Sequence, residues 1–147
     1  MPYDLERFVI AQQDAYAGAL SELRRGRKTG HWIWFIFPQL AGLGQSEMSR
    51  FYAMASLDEA RAYLAHPVLG PRLRESAAAV LAVGERTVTE ILGPIDAMKL
   101  RSSMTLFHLA APDEPLFELV LRRYFGGVTD AATEALLGGT PPGPLTS

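Results

Sequence analysis

The sequence predicts an all-α fold: a single compact, non-repeat, multihelical domain of about eight or nine helices. Apolar residues recur at three- and four-residue spacing along most of the chain, which is typical of amphipathic helices. Capping residues, prolines and glycines separate these segments at intervals that suit helices. No pair of segments has the quality of two partnered strands, and a lone strand would have nothing to pair with.

The N-terminal part of the chain predicts one long helix and one short buried helix. Asp4 is a candidate N-cap, and the apolar residues of 5–23 follow it at helical spacing until Gly26. Apolar residues then fill positions 32–37 without a break, and periodicity does not separate a buried strand from a buried helix there. We favour a short buried helix that ends at Pro38, since no comparable strand is present to pair with it.

Side-chain capping patterns predict where three further helices begin. Ser46 precedes an apolar segment and is a candidate N-cap. Ser56 with Glu59, and Thr87 with Glu90, each fit the S/T-x-x-E pattern of a capping box, in which two side chains satisfy two free backbone N–H groups. These short-range patterns therefore place three helix starts in the middle of the chain.

Proline and glycine delimit the remaining predicted helices. An alanine-rich segment at 72–83 ends at Gly84. A long segment at 94–111 begins with a proline, and the segment at 113–125 is followed by two glycines. Residues 129–138 predict a last short helix.

Length and composition limit the classes of protein that the chain can belong to. Its 147 residues favour one domain, which we assign to residues 1–138, with residues 139–147 as a Pro/Gly-rich flexible tail. The formal net charge of −2 disfavours a general nucleic-acid binder. The absence of cysteine excludes disulfides and thiolate chemistry.

Neither a membrane segment nor a metal site is expected. No run reaches the roughly 18 apolar residues of a membrane span, and the N-terminus lacks the apolar stretch of a signal peptide. We therefore expect a soluble, cytoplasmic protein. His31, His66 and His108 lie far apart in the sequence without metal-binding spacing, so we expect no metal and no cofactor.

Several long motifs resemble one known family. They are, in order, DLERFVIAQ, GRKTGHWIWFIFPQLAGLG, EARAYLAHPVLGPRLRE, KLRSSMTLF and YFGGVTDAAT. Together they resemble the domain-of-unknown-function family 1810 (DUF1810), sometimes labelled calpastatin-like, over about residues 4–138. The resemblance implies a small all-helical fold and provides no catalytic residues to carry over.

A first candidate ligand site lies in the aromatic segment, at Lys28, His31, Trp32 and Trp34. In the functional interpretation, the indoles form a wall for a base or nicotinamide ring while the cation binds a phosphate; stacking of a base on an aromatic ring contributes roughly 1–3 kcal/mol. In the structural interpretation, the tryptophans anchor the core and the cations end the first helix.

A second candidate is the glycine-rich turn AGLGQSEMSR at residues 41–50. Such a turn before a helix can present backbone N–H groups to an anion, and Arg50 lies one turn into the predicted helix. The turn lacks the Gly-Lys-Ser/Thr of a P-loop. An ordinary connecting turn is the alternative interpretation.

A third candidate is the segment KLRSSMTLFH at residues 99–108. On a helix, Arg101 and Thr105 lie on one face, with Ser102 beside them. Arg101 is a candidate phosphate or carboxylate clamp, and the hydroxyls would orient a ligand; in that case Arg101→Ala would weaken binding with little loss of stability. Alternatively, the hydroxyls bond back to the helix backbone and Arg101 faces water.

Two functional hypotheses remain open. In the first, the protein binds or processes a small anionic ligand, such as a nucleotide or an ADP-ribose derivative; Asp96 and Asp130 are then candidate acid/base groups that nothing distinguishes. In the second, it is a non-catalytic interaction or oligomerisation module. Four aromatic and aliphatic residues would then form the exposed patch: Phe117, Leu121, Tyr124 and Phe125.

Overall fold

A computed structural model of the protein describes residues 3–138, and within that range it contains ten α-helices and no β-strand. The predicted all-α fold is confirmed, with one or two helices more than expected. The predicted tail at 139–147 lies outside the described residues. The helices are α1 (Glu6–Gln13), α2 (Tyr16–Arg25), α3 (Ile33–Ile36), α4 (Glu47–Phe51), α5 (Leu57–Ala65), α6 (Leu69–Leu81), α7 (Val88–Leu92), α8 (Pro94–Ala110), α9 (Pro115–Phe125) and α10 (Ala131–Leu136).

The first predicted helix is two helices, α1 and α2. The Ala15 N–H donates to the carbonyl of Gln12 at 3.3 Å, a tight turn that interrupts the helix. The Gln12 side chain is buried, and its amide donates to the carbonyl of Phe35 at 2.7 Å and to the hydroxyl of Tyr63 at 3.1 Å. The side chain at the end of α1 thus joins α1 to α3 and α5.

Three predicted N-caps are confirmed. Ser46, Ser56 and Thr87 each accept a hydrogen bond at 3.1 Å from the backbone N–H three residues later. Thr87 and Glu90 form the complete capping box, because the Glu90 carboxylate also accepts from the Thr87 N–H at 2.8 Å. Local sequence patterns therefore locate the starts of α4, α5 and α7.

Two capping predictions, at Asp4 and at Glu59, are wrong. The N-cap residue of α1 is Leu5 rather than Asp4, and the Asp4 carbonyl accepts from Arg7. The Glu59 carboxylate does not complete a capping box with Ser56; it accepts from the Ala55 N–H at 2.7 Å and pairs with Arg7 at 3.2 Å. The ion pair with Arg7, 52 residues away in the sequence, thus takes the Glu59 carboxylate from its local partner.

Helix α8 forms the centre of the core. It packs against α3, α5, α7, α9 and α10, and Leu100, Met104 and Phe107 on it are each 0% exposed. The Phe107 ring lies 5.5 Å from the Tyr63 ring and 5.9 Å from the Phe117 ring, centroid to centroid. No helix within residues 3–138 is long and apolar enough to cross a bilayer.

The prediction of an exposed apolar patch on α9 is wrong. Phe117 and Leu121 are buried against the core, while Tyr124 and Phe125 are half-buried and pack against it. The Tyr124 hydroxyl also donates to the carbonyl of Val80 on α6. The apolar face of α9 therefore serves the interior of this chain.

The aromatic segment forms α3, a single buried helical turn, as expected. Ile33, Phe35 and Ile36 are buried. The loop before α3 is tied to α2 by the Glu22 carboxylate, whose Oε1 accepts from the Thr29 N–H, the Gly30 N–H and the Trp32 indole. Burial opposes ionisation of Glu22, but these donated hydrogen bonds outweigh it and lower its pKa to about 2 from 4.5.

Glu22 gives a pH-dependent contribution to stability. Because its pKa is depressed in the folded state, this contribution is present above pH 4.5 and is lost as the pH falls toward 2. We expect Glu22→Gln to lower the free energy of unfolding at pH 7 by about 1–3 kcal/mol. The difference in free energy of unfolding between the variant and the wild type should become smaller below pH 4.5. Urea unfolding at several pH values measures both, with the exposed Glu85→Gln as control. A stability difference that stays constant down to pH 3 would contradict a pH-dependent contribution of Glu22.

Candidate functional site

Lys28 is engaged within the fold. Its ammonium lies 2.8 Å from the carboxylate of Asp96 in the first turn of α8 and 5.0 Å from the ring centroid of Trp32. The Lys28 side chain is 9% exposed, and its backbone N–H donates to the carbonyl of Ile91 at 2.7 Å. Lys28 therefore joins the aromatic segment to the α7–α8 connection.

The other predicted residues of the aromatic segment differ in exposure. Trp32 is buried, with its indole on Glu22, and His31 is exposed. Trp34 is half-buried against the core, and its indole nitrogen is enclosed without a hydrogen-bond partner among residues 3–138. The ligand-binding role of these residues stays a prediction.

Arg101 has an intramolecular partner. Its guanidinium donates through Nη2 at 2.8 Å and through Nε at 3.3 Å to the carbonyl of Thr129, just before α10. Arg101 thus holds the segment that leads into α10 and does not simply face water, whereas its role as a ligand clamp stays a prediction.

Ser102 and Thr105 hold the same segment through Asp130. The Thr105 hydroxyl donates to the Arg101 carbonyl at 2.8 Å and accepts from the Asp130 N–H at 2.9 Å. The Ser102 hydroxyl lies 2.9 Å from Oδ2 of Asp130 and 3.2 Å from the carbonyl of Met98. Asp130 is in turn the N-cap of α10. The polar residues at 101, 102 and 105 thus connect α8 to residues 129 and 130 at the start of α10. We call this set of contacts the joint between α8 and α10.

A cavity of about 340 Å³ lies beside this joint, and we call it the α8–α10 cavity. It is formed by one face of α8, the start of α10 and the loop that follows α3. Its lining residues are Ile95, Met98, Lys99 and Ser102 from α8, Asp130 and Ala132 from the start of α10, and Gln39, Leu43 and Gly44 from the loop.

The loop wall of the cavity is set by two backbone contacts. The Gln39 carbonyl accepts from the Met54 N–H, and the Ala41 N–H donates to the Met54 carbonyl, both at 2.8 Å. At Gly44, a Cβ would lie 2.4 Å from the Ser49 side chain, so only glycine lets the loop approach the start of α4 this closely. The glycine-rich turn therefore reaches the cavity, whereas Arg50 lies on another surface beside Phe51.

From the α8 candidate segment Ser102 lines this cavity, together with Gly44 of the glycine-rich turn and the candidate acid/base residue Asp130. Arg101 and Thr105 support its wall through residues 129 and 130. Sequence reasoning missed Lys99 and Gln39. Lys99 is the first residue of the marked segment at 99–108, but no local pattern separates it from Arg101. Within residues 3–138, no three His, Cys, Asp or Glu side chains come together as metal ligands.

Over residues 3–138 the fold and the site define a ten-helix protein with a small, mainly apolar cavity that carries a few polar side chains, where α8, α10 and a loop meet. The chain belongs to the family described as Protein of unknown function (DUF1810), which matches residues 2–137; the resemblance found in the motifs is confirmed. It is similar to the crystal structure of the conserved hypothetical protein Rv1873 from Mycobacterium tuberculosis, with 51% identity, coverage of 95% of this chain and 100% of that chain, and a TM-score of 0.92. No curated protein matches the sequence.

The contacts of Arg101 at this joint lead to a prediction about the stability of the fold. The structure reverses the expectation that Arg101→Ala spares folding, because the substitution removes two charged hydrogen bonds to Thr129. We expect a loss of about 1.5–3 kcal/mol in the free energy of unfolding, measured by urea denaturation. Arg122→Ala is the control, since it breaks only an exposed pair with Glu118 and should cost about 0.5 kcal/mol or less. Equal stability of the two variants would show that the Thr129 contact contributes nothing.

Proposed function

We propose that the protein binds a small anionic ligand, such as a nucleotide or an ADP-ribose derivative, in the α8–α10 cavity. One observation carries this proposal: Lys99, Gln39 and Asp130 meet around one concave site with an apolar rim. A volume of about 340 Å³ is within the range of roughly 300–1,000 Å³ for small-molecule sites. Such sites combine apolar walls with a few polar groups that orient the ligand.

Lys99 supplies the positive charge for the anionic group. The ion pairs among the described residues involve Lys28 and several arginines, but not Lys99. Its side chain is partly enclosed by the cavity rather than extended from an open surface. A lysine without a carboxylate partner in a concave site supports binding of a phosphate as a point charge.

The rim of the cavity supports binding of a ring. Ile95 is 72% exposed and Met98 is 66% exposed, although both are large apolar side chains. They stand one helical turn apart on α8, so they form one continuous apolar edge beside Lys99. Exposed apolar surface at a cavity mouth is typical of ligand-binding sites, and a base placed on this edge would leave its phosphate near the ammonium group.

The residues predicted from the sequence take different parts in this proposal. Ser102 lines the site, and Arg101 and Thr105 position Asp130. Lys28 fixes the first turn of α8 through Asp96, next to Ile95. His31, Trp32 and Trp34 do not line this cavity, so contact between the ligand and the aromatic segment is not part of the proposal.

A thermal-shift panel tests the proposal. We expect AMP, ADP-ribose or NAD to raise the melting temperature, since a ligand at 100 times its dissociation constant adds about 2.7 kcal/mol of stability. We expect Lys99→Met to weaken binding at least about tenfold, because it removes the one cation that residues 3–138 place in the cavity lining and keeps most of the stem. Calorimetry measures the change.

Arg122→Met is the matched control, because it removes one exposed positive charge on α9, outside the cavity. It should bind like the wild type. Equal affinity of Lys99→Met and Arg122→Met would place the ligand elsewhere. Absence of a shift with every member of the panel would reject a nucleotide-type ligand.

Self-association is the second candidate function, and a different surface favours it. Ile10 on α1 and Phe51 on α4 are 60% and 58% exposed and line one concavity; Met48, 38% exposed, lies beside Phe51. We call these three residues the Phe51 patch. Arg7 makes the patch rigid by donating to the carbonyl of Phe51 at 2.8 Å.

The charges around the Phe51 patch are suited to a second copy of the chain. Glu47 and Arg50 lie at its edge together. In a two-fold interface the same patch meets itself, so Glu47 of each copy would face Arg50 of the other. This charge pattern supports a symmetric dimer as the occupant of the patch.

Light scattering with size-exclusion chromatography tests the dimer. If the wild type is dimeric, we expect Phe51→Ser to shift it to monomer, because a large apolar anchor at the centre of the patch is lost. Leu119→Ser is the control, since Leu119 is 46% exposed on α9 and lies outside the patch. A wild-type protein that remains monomeric at high concentration rejects this function.

A further inference from the structure

The Asp130 carboxylate is held by one of its two oxygens. Oδ2 accepts from the Ser102 hydroxyl at 2.9 Å, from the Thr133 hydroxyl at 2.6 Å and from the Thr133 N–H at 3.2 Å. The residue's own N–H donates to Thr105. The described residues donate no hydrogen bond to Oδ1. The carboxylate of this cavity-lining residue is thus fixed in orientation and retains one oxygen, Oδ1, with open acceptor capacity.

The cavity therefore carries a negative as well as a positive group. Lys99 attracts an anion, whereas Asp130 in the same wall repels one. A carboxylate is an acceptor and pairs with a hydroxyl or amine that donates to it. A compact anion such as inorganic phosphate satisfies Lys99 alone. The ligand that suits both groups carries its anionic part at one end and donors at the other.

Gln39 makes a hydroxyl pair the best match for these donors. Gln39 lines the cavity, and its backbone is fixed by Met54. Its side-chain amide, which can both donate and accept, makes no hydrogen bond to any described residue. Asp130 can thus accept from one hydroxyl while Gln39 binds its neighbour. A ligand whose only donor is an ammonium group would satisfy Asp130 and leave the amide unused.

We infer that the α8–α10 cavity recognises a vicinal diol, as in the ribose of a ribonucleotide, through Oδ1 of Asp130 and the amide of Gln39, with the phosphate on Lys99. The inference rests on the proposed function and specifies the substrate class of the same site. It makes the sugar, rather than the phosphate, the part of the ligand that determines selectivity. A carboxylate that binds ribose hydroxyls is a known solution in nucleotide-binding folds.

Calorimetry with AMP, 2′,3′-dideoxy-AMP and inorganic phosphate tests the inference on the wild-type protein. The two nucleotides share base and phosphate and differ in the diol alone. We expect AMP to bind about ten- to a hundredfold more tightly than its dideoxy analogue, the effect of losing a hydrogen bond to a charged acceptor. Inorganic phosphate is expected to bind more weakly than either nucleotide.

Two variants assign the effect to residues. Asp130→Asn keeps an N-cap residue for α10, because asparagine caps as well as aspartate, but it removes the charged acceptor. We expect this variant to bind AMP no more than about threefold more tightly than the dideoxy analogue, while its affinity for the dideoxy analogue changes little. Gln39→Leu should reduce the same ratio, and it leaves every observed side-chain hydrogen bond of the described residues in place. Circular dichroism confirms folding of both variants.

The outcomes separate the two proposals. If AMP and its dideoxy analogue bind equally and Lys99→Met weakens both, the anionic-ligand function stands and the diol inference is overturned. An AMP preference that persists in both Asp130→Asn and Gln39→Leu also overturns it. If neither nucleotide binds, the nucleotide-type function is rejected together with the inference.

Discussion

Burial of α8 is the constraint on which the rest of the structure depends. The helix is enclosed by α3, α5, α7, α9 and α10, so polar groups on it depend on protein partners for their hydrogen bonds. Thr105 is 0% exposed and meets this need through the Arg101 carbonyl and the Asp130 N–H. A buried polar group without a partner costs about 1–3 kcal/mol. Docking of residues 129–130 gives the buried Thr105 hydroxyl a second partner and the Asp130 N–H an acceptor, and it fixes where α10 begins and where the cavity has its second wall.

The N-terminal half of α8 depends on the aromatic segment in a similar way. Lys28 bridges the Trp32 ring and Asp96, and Glu22 gathers the loop and the Trp32 indole. The cations and glycines around the tryptophans therefore have a structural role: they turn the chain tightly and connect α2 to the first turn of α8. The aromatic segment does not line the cavity itself. It positions the first turn of α8, which contains the rim residue Ile95.

The sequence predicted those features that depend on neighbours within a few residues. Ser46 and Thr87 cap helices through N–H groups three positions away, and α3 is buried because its apolar residues leave no polar face. The break between α1 and α2 was missed, since the Gln12 side chain at that break binds Phe35 and Tyr63, 23 and 51 residues further along the chain. Arg101 and Thr129 are separated by 28 residues. Such partners follow from packing, which no local pattern encodes.

The same distinction explains the partial prediction of the candidate site. Residue type marked Arg101 as a ligand clamp, yet a cation is free to bind a ligand only where the fold gives it no other partner. Arg101 donates twice to Thr129, whereas no ion pair among the described residues involves Lys99. In the proposed site the cation is therefore Lys99, in the same segment as Arg101 and two positions before it. The fold uses many of its polar groups for internal hydrogen bonds. Function is therefore to be sought among polar groups of the cavity that have no such partner among the described residues: the Lys99 ammonium, the Gln39 amide and one oxygen of Asp130.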